Sequence, residues 1–463
     1  MSVEKVESII ALFTSNKFQD ALNAIEELIV DNPNDALLFN IRGACYAGLD
    51  QKKLAKENYE KAITINPGYA KAHYNLAGAL HELDEFDASI QSYQDALAIE
   101  PDYAEAHNNL GNVLKESGQL DKAIKSYQNA IDIKPDYVEA YYSLGSSFQD
   151  SGKLEEAVEC YSKVVKLKPN FSLIHNNLGN ILRELGRFDE AVLSYEKAIS
   201  IDPDFFEVYY NLGITFQDMK EYSNSVNYYL KAIENKENYA EAYNNLGVAY
   251  KELKEYDLAI NSYDKAIDLR PNYADAHNNL GILFKELGQL DKAIKSHEQA
   301  IDFKSDHADA HFNLGMIFFD DGKFDLAIEY YKKAIKADTK FTEAYNNLGV
   351  IFLDSGSLDE AKKYFEDASI INPKDALAFN NLGIVYQRLH NFDDSAKCFE
   401  RAININPSYL DAFSNFGNVL TDTGSFDKAL ANYQHAFELN SSVDYLLGNI
   451  LHTKMHLCIW DDF

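Results

Sequence analysis

All nine prolines of this chain fall at one phase of a single period. Pro33, Pro67, Pro101, Pro135, Pro169, Pro203, Pro271, Pro373 and Pro407 recur every thirty-four positions or at a multiple of that interval. Proline interrupts a helix by removing a backbone donor and clashing with the preceding turn. A breaker at fixed spacing therefore marks the joints of a repeated unit rather than one closed domain. Other residues keep the same register. A glycine slot is filled at Gly43, Gly111, Gly145, Gly179, Gly213, Gly247, Gly281, Gly315, Gly349, Gly383 and Gly417, with Ala77 in the remaining unit. Small residues recur twelve and nineteen positions later, as in Ala123 and Ala130, with an aromatic such as Tyr127 between them. The small residues predict two helices packed closely, and the aromatic predicts filling of the gap to the neighbouring unit.

Units of this period, the first starting at position 2 and the last at position 410, give thirteen repeats over 2–443. The first is degenerate, with Ile9 in the glycine slot and Leu28 in a small slot, as expected of a terminal cap. Glu237, Ser305 and Thr339 replace the proline in three units without shifting the period. The length and pattern resemble the tetratricopeptide (TPR) helix–turn–helix repeat. That resemblance implies an all-α, right-handed solenoid, a superhelix with an extended concave surface for a partner.

The tail reads differently. Leu447-Gly448-Asn449-Ile450-Leu451 copies Leu178-Gly179-Asn180-Ile181-Leu182, yet Gly448 follows Gly417 three positions sooner than the period requires. This predicts a further first helix, within 444–463, that starts three residues early and runs on to Trp460 without a partner. Leu446, Leu447, Ile450, Leu451, Leu457 and Ile459 would then lack full cover, favouring self-association through this helix. The chain looks severed at this end.

Counting from each repeat start, the second, sixth, ninth and thirteenth slots share one stripe of the first helix, off the face toward its partner. The sixth slot reads Asn75, Asn109, Asn177, Asn211, Asn245, Asn279, Asn313, Asn347, Asn381 and Asn415, interrupted by Ser143. Asparagine is a mediocre helix former, so its recurrence needs a reason. Its amide both donates and accepts, which suits gripping the backbone of an extended peptide. The competing reading has each asparagine bonding the neighbouring repeat and setting the pitch. The thirteenth slot is acidic, with Glu116, Glu184, Asp218, Glu252, Glu286, Asp320 and Asp354 among its members. A solvated helix face is the plain reading. An attractive stripe for Lys/Arg-rich or Ser/Thr-bearing protein segments is the functional one.

With 43 basic and 73 acidic residues the formal charge is −30, which disfavours nucleic acid and anionic membrane as partners. No apolar run approaches membrane-spanning length, and the acidic start is unlike a secretory signal, so a cytoplasmic protein is expected. Four cysteines without paired spacing suggest neither disulfides nor zinc. His307 and His311 have a metal-compatible spacing, but His311 repeats the fourth-slot histidine of other units, and a packing role is expected. No phosphate loop or nucleophile motif stands outside the repeat pattern, so no catalytic residue, cofactor or metal is expected in this chain.

The units Ala106-His107-Asn108-Asn109-Leu110-Gly111-Asn112 and His175-Asn176-Asn177-Leu178-Gly179-Asn180 resemble repeats of O-linked N-acetylglucosamine transferases. The tail 451–463 resembles the junction leading into the catalytic region of bacterial relatives of that enzyme. The resemblance implies a substrate-recognition arm whose asparagine ladder holds client backbones, with the glycosyltransferase half missing from this chain. Two other readings remain at this point: a free-standing assembly scaffold, and the arm of another bacterial transferase. A carboxylate clamp of the co-chaperone type needs bases in the second slot, where Lys71 stands alone.

Overall fold

The computed structural model describes residues 3–459. Among the described residues are twenty-seven α-helices and no strand. They alternate between a first helix, such as Ala104–Glu116, and a second helix, such as Leu120–Ile133. The chain is an all-α solenoid of paired helices. Its contacts divide it into two units, ending at Lys236 and beginning at Glu237. The first unit holds seven helix pairs; the second holds six pairs and one final helix.

Glycine in the first helix is a packing requirement. A Cβ on Gly111 would lie 2.6 Å from Cε1 of Tyr127, a distance real carbon pairs do not adopt. The aromatic ring thus lies over the glycine of its own repeat, and Tyr127 is fully buried between them. The same arrangement recurs in the second unit, where a Cβ on Gly349 would lie 2.5 Å from Cε1 of Phe365. Small slots such as Ala123, Ala130, Ala361 and Ala368 are wholly buried. Where serine replaces alanine, its hydroxyl is satisfied across the hairpin: Ser225 Oγ donates to the Gly213 carbonyl at 2.8 Å.

Two kinds of turn join the helices. After each first helix one residue adopts a left-handed conformation, and Gly118 at φ +78° is typical. The backbone N–H of Gln119 then reaches the carbonyl of Leu114 at 2.8 Å and closes the helix end. Lys220, Lys254 and His390 hold this conformation despite their side chains. At the other turn the proline is not what stops the helix. The second helices Tyr222–Asn235, Leu290–Phe303 and Phe324–Ala337 end in the same register although Glu237, Ser305 and Thr339 replace it. The residue before that position is extended in either case, with Lys134 at φ −128° and Lys236 at φ −147°.

The final helix corrects the sequence reading. It spans Asp444–His456, so it begins and ends one full period after Leu410–Asp422, with no slip. Its closing left-handed residue, Cys458, likewise falls one full period after Gly424. Gly448 therefore occupies the fifth slot, and a Cβ there would touch nothing within 4 Å. The Leu447–Leu451 match to Leu178–Leu182 is a coincidence of composition. Leu446 and Ile450 are buried against Phe416, Leu430 and Tyr433, with Leu457 and Ile459 packed alongside. Leu447 remains exposed, as do Tyr445 and Met455. Trp460 to Phe463 lie outside the described residues.

Candidate functional site

The asparagine ladder is built from the first helices, and seven of its ten side chains donate back to the preceding repeat. Asn75 Nδ2 donates to Asn40 Oδ1 at 2.9 Å, and Asn211 Nδ2 to Asn176 Oδ1 at 2.9 Å. In the second unit Asn279, Asn313 and Asn415 donate to Asn244, Asn278 and Asn380 at 3.0, 3.1 and 3.1 Å. Asn109 and Asn177 use a tyrosine instead, donating to Tyr74 and Tyr142 hydroxyls at 2.9 and 3.4 Å. The fifth-slot amides pass the bond on, since Asn244 donates to Asn245 and Asn380 to Asn381. A relay of side-chain amides thus crosses the repeat joints. An amide carries two donor hydrogens and an acceptor, so a ladder residue retains capacity beyond this bond. Nine of the ten are half-buried and reach the surface; Asn381 is buried.

The ninth slot, between ladder and acids, changes character along the chain. Asn112, Ser146 and Asn180 are polar, and buried tyrosines fix the two asparagines: Tyr127 and Tyr195 hydroxyls donate to Asn112 and Asn180 at 2.9 and 2.7 Å. From Ile214 to Ile384 the slot is apolar, with Val248, Ile282, Met316, Val350 and Ile384 all half-buried, and Asn418 returns it to polar. Below Val350 and Ile384 the aromatic is Phe365 or Phe399, whereas the repeats of Ile214, Val248 and Met316 keep Tyr229, Tyr263 and Tyr331.

The acids Glu116, Glu184, Asp218, Glu252, Glu286, Asp320 and Asp354 are all exposed. They do not form a bare anionic row. A basic residue in the twelfth slot of the preceding repeat meets several of them: His81 to Glu116 and Lys115 to Asp150 at 2.7 Å, Arg183 to Asp218 at 4.0 Å and Lys285 to Asp320 at 2.9 Å. Lys251 meets Glu252 within its own helix at 3.0 Å, and the Tyr256 hydroxyl donates to Glu286 at 2.9 Å.

Site residues converge in surface cavities. In the first unit one of about 510 Å³ is lined by Asn180, Arg183, Glu184, Asn211, Ile214 and Asp218, joining ladder, floor and acid row. In the second unit Asn347 and Asp320 share a cavity of about 240 Å³ with Met316, Phe319, Tyr331 and Val350.

The histidines do structural work. Nε2 of His107, His175, His277 and His311 lies 3.0 Å from the carbonyl of the loop before each helix. His307 pairs with Asp275 at 3.1 Å. Among the described residues no cluster of three His, Cys, Asp or Glu could hold a metal, and no helix is long and apolar enough to cross a membrane. Burial pushes the Cys45 thiol up to about 11.

Models described as TPR repeat match 77–118, 111–152, 145–182, 179–220 and 249–288. Others described as tetratricopeptide repeat match 273–340, 340–408 and 374–442, then 58–91 and 228–261, then 37–69 and 206–239. Together they run from 37 to 442 without a gap, and the chain belongs to the tetratricopeptide-repeat family. It is similar to the peroxisomal targeting signal receptor of Saccharomyces cerevisiae, 32% identical over 65 residues, which are 14% of this chain and 11% of the receptor. The receptor of Kluyveromyces lactis is 31% identical over 65 residues, 14% of this chain and 12% of that one. The chain thus spans about a tenth of the length of these curated relatives. Among solved structures, MamA is 28% identical over 36% of this chain and 96% of its own, with a TM-score of 0.34. The Cut9–Hcn1 hetero-tetramer of the APC/C is 15% identical, covering 96% of this chain and 95% of its own, with a TM-score of 0.43.

Proposed function

We propose that this chain is a protein-binding scaffold whose first-helix face holds extended protein segments. The observation that carries this is the cavity of about 510 Å³ where Asn180, Asn211, Glu184 and Asp218 converge beside Ile214. Half-buried amides there offer donor and acceptor capacity to a peptide backbone, and the acids beside them favour basic or Ser/Thr-bearing clients. The curated relatives are receptors for a targeting signal, which accords with a repeat surface used for peptides. No catalytic role is assigned to these repeats.

The finer reading is that the chain is the substrate arm of an O-GlcNAc-transferase-like cytoplasmic protein. It is supported by the resemblance of the 106–112 and 175–180 segments and of the 451–463 tail. A glycosyltransferase frame downstream of Phe463 in the genomic sequence would support it; a stop codon there would favour a free-standing scaffold.

The binding reading is tested by selecting twelve-residue peptides from a displayed random library on the full chain. Selected peptides should be enriched in Lys, Arg, Ser and Thr. Their binding should weaken as salt rises, since exposed charges are screened over about 8–10 Å at physiological ionic strength. Enrichment of acidic peptides, or salt-independent binding, would contradict it.

A further inference from the structure

The row of twelfth-slot bases has a gap. His81, Lys115, Arg183 and Lys285 each face an acid of the following repeat. Other repeats put Gln149, Gln217 or Gln387 in that slot, and the two repeats covering 308–375 put the apolar Phe319 and Leu353 there. Asp354, which would receive a base at position 319, has no ionic or hydrogen-bonding partner among the described residues and is exposed. It is the last residue of the helix Thr342–Asp354. Downstream the pattern inverts: Arg388 takes the acid position and donates to the Leu353 carbonyl at 2.9 Å.

The gap is also where the surface opens. Phe319 separates two cavities, one of about 240 Å³ beside Met316, Asn347 and Val350, and one of about 310 Å³ beside Phe352 and Asp354. Its ring stands edge-on to Phe324 with centroids 5.7 Å apart, so it is held in place. In the second of these, the aromatic wall of Phe319, an apolar floor at Ile351 and Phe352, and the unpaired carboxylate of Asp354 share one notch.

We propose that this notch receives an arginine side chain of an extended client segment whose neighbouring residues are apolar. A planar guanidinium stacks on an aromatic ring and forks a carboxylate, which a compact ammonium does not do. Its aliphatic stem covers Phe319, while the neighbouring cavity at Met316 and Val350 takes a flanking apolar side chain. The incoming cation supplies to Asp354 what Lys285 supplies to Asp320. This rests on the reading of the first-helix face as a protein-binding surface and adds a specificity to it.

The test uses capped eleven-residue peptides of alternating valine and serine, with arginine, lysine, norleucine or glutamate at the centre. Their affinities for the full chain are measured by fluorescence polarisation. The arginine peptide should bind about tenfold more tightly than the norleucine peptide, the effect of one charge-assisted contact. Asp354→Asn should remove that preference and leave norleucine binding unchanged; it is an exposed, fold-neutral change. Phe319→Lys should also abolish the preference by returning a base to the row, and the control Asp291→Asn, exposed on a second helix, should change neither. Arginine preference surviving both variants, or lysine or glutamate binding as tightly as arginine, overturns the proposal while leaving the binding surface standing. Failure of all four peptides to bind overturns both.

Discussion

The side-chain amide of Asn279 donates to Oδ1 of Asn244 across 3.0 Å, joining two consecutive repeats at the surface the client is proposed to use. Asn244 is buried, so its oxygen depends on that donor. Asn279→Ala should cost about 1–3 kcal/mol, the penalty of leaving a buried acceptor unsatisfied. Asn244→Ala and the double variant complete a cycle whose coupling should be about 0.5–1.5 kcal/mol. Urea unfolding followed by amide exchange in 274–286 measures it. Additive effects would show that the ladder's donor is not structural.

His297 should make the second unit acid-sensitive. It occupies the slot taken by tyrosine in most repeats, is fully buried, and directs Nδ1 to Asn278 Oδ1 at 3.0 Å. Its Nε2 has no partner. Burial, then the neighbouring His307 and Lys285, lowers its pKa to about 4. The unfolded chain takes up that proton near pH 6.5, so stability is full above that value and falls as pH drops toward 4. The loss at pH 5 should be about 1–2 kcal/mol. His297→Tyr restores the usual residue over Gly281 and should flatten the dependence between pH 7 and 5. An equally steep dependence in that variant would place the sensitivity elsewhere.

Lys220 and Lys254 sit at φ +61° and +62°, where most other repeats have glycine, asparagine or aspartate. Lys220→Gly and Lys254→Gly should each stabilise the chain by about 0.5–1 kcal/mol, since relief of left-handed strain outweighs glycine's added entropy. Thermal unfolding reads this directly, and a lowered midpoint would contradict it.

Gly111 and Gly448 should respond oppositely to alanine. At Gly111 the new methyl meets Tyr127, and a loss of about 1–3 kcal/mol is expected. At Gly448 the space is open and the backbone helical, so alanine should gain about 0.5–1 kcal/mol. A destabilised Gly448→Ala would restore the slipped register that the final helix lacks.

The repeat was legible because its packing admits few substitutes, such as Ala77 for glycine and Ser225 for alanine. At Gly111 a Cβ would clash with Tyr127, and the fully buried Ala123 and Ala130 mark the close approach of the two helices. The same marks misled at Gly448, because a Leu-Gly-Asn-Ile-Leu string looks alike whether glycine faces a ring or solvent. Its helix bounds and the burial of Leu446 and Ile450 decide the register, which places Asn449 in the sixth slot. The ladder was visible as a column of asparagines, but not its direction: bonding to a residue 35 positions back depends on how the repeats stack. The acid row was read without the bases beside it, because the His81, Lys115, Arg183 and Lys285 column lies one slot away and pairs across repeats. The change of the ninth slot from Asn180 to Ile214 and Val248 was in plain sight and needed only the columns to be compared.

The most direct measurement is photo-crosslinking of a library-selected peptide to the full chain carrying benzoylphenylalanine at one of two positions. Ile282 lies half-buried in the ninth slot of a first helix, and Leu290 is exposed at the start of the following second helix. Crosslinking from position 282, competed away by unlabelled peptide and weak from position 290, is the expected result. Competed crosslinking from position 290 with none from 282 would place the client on the second helices and contradict the first-helix face as the binding surface.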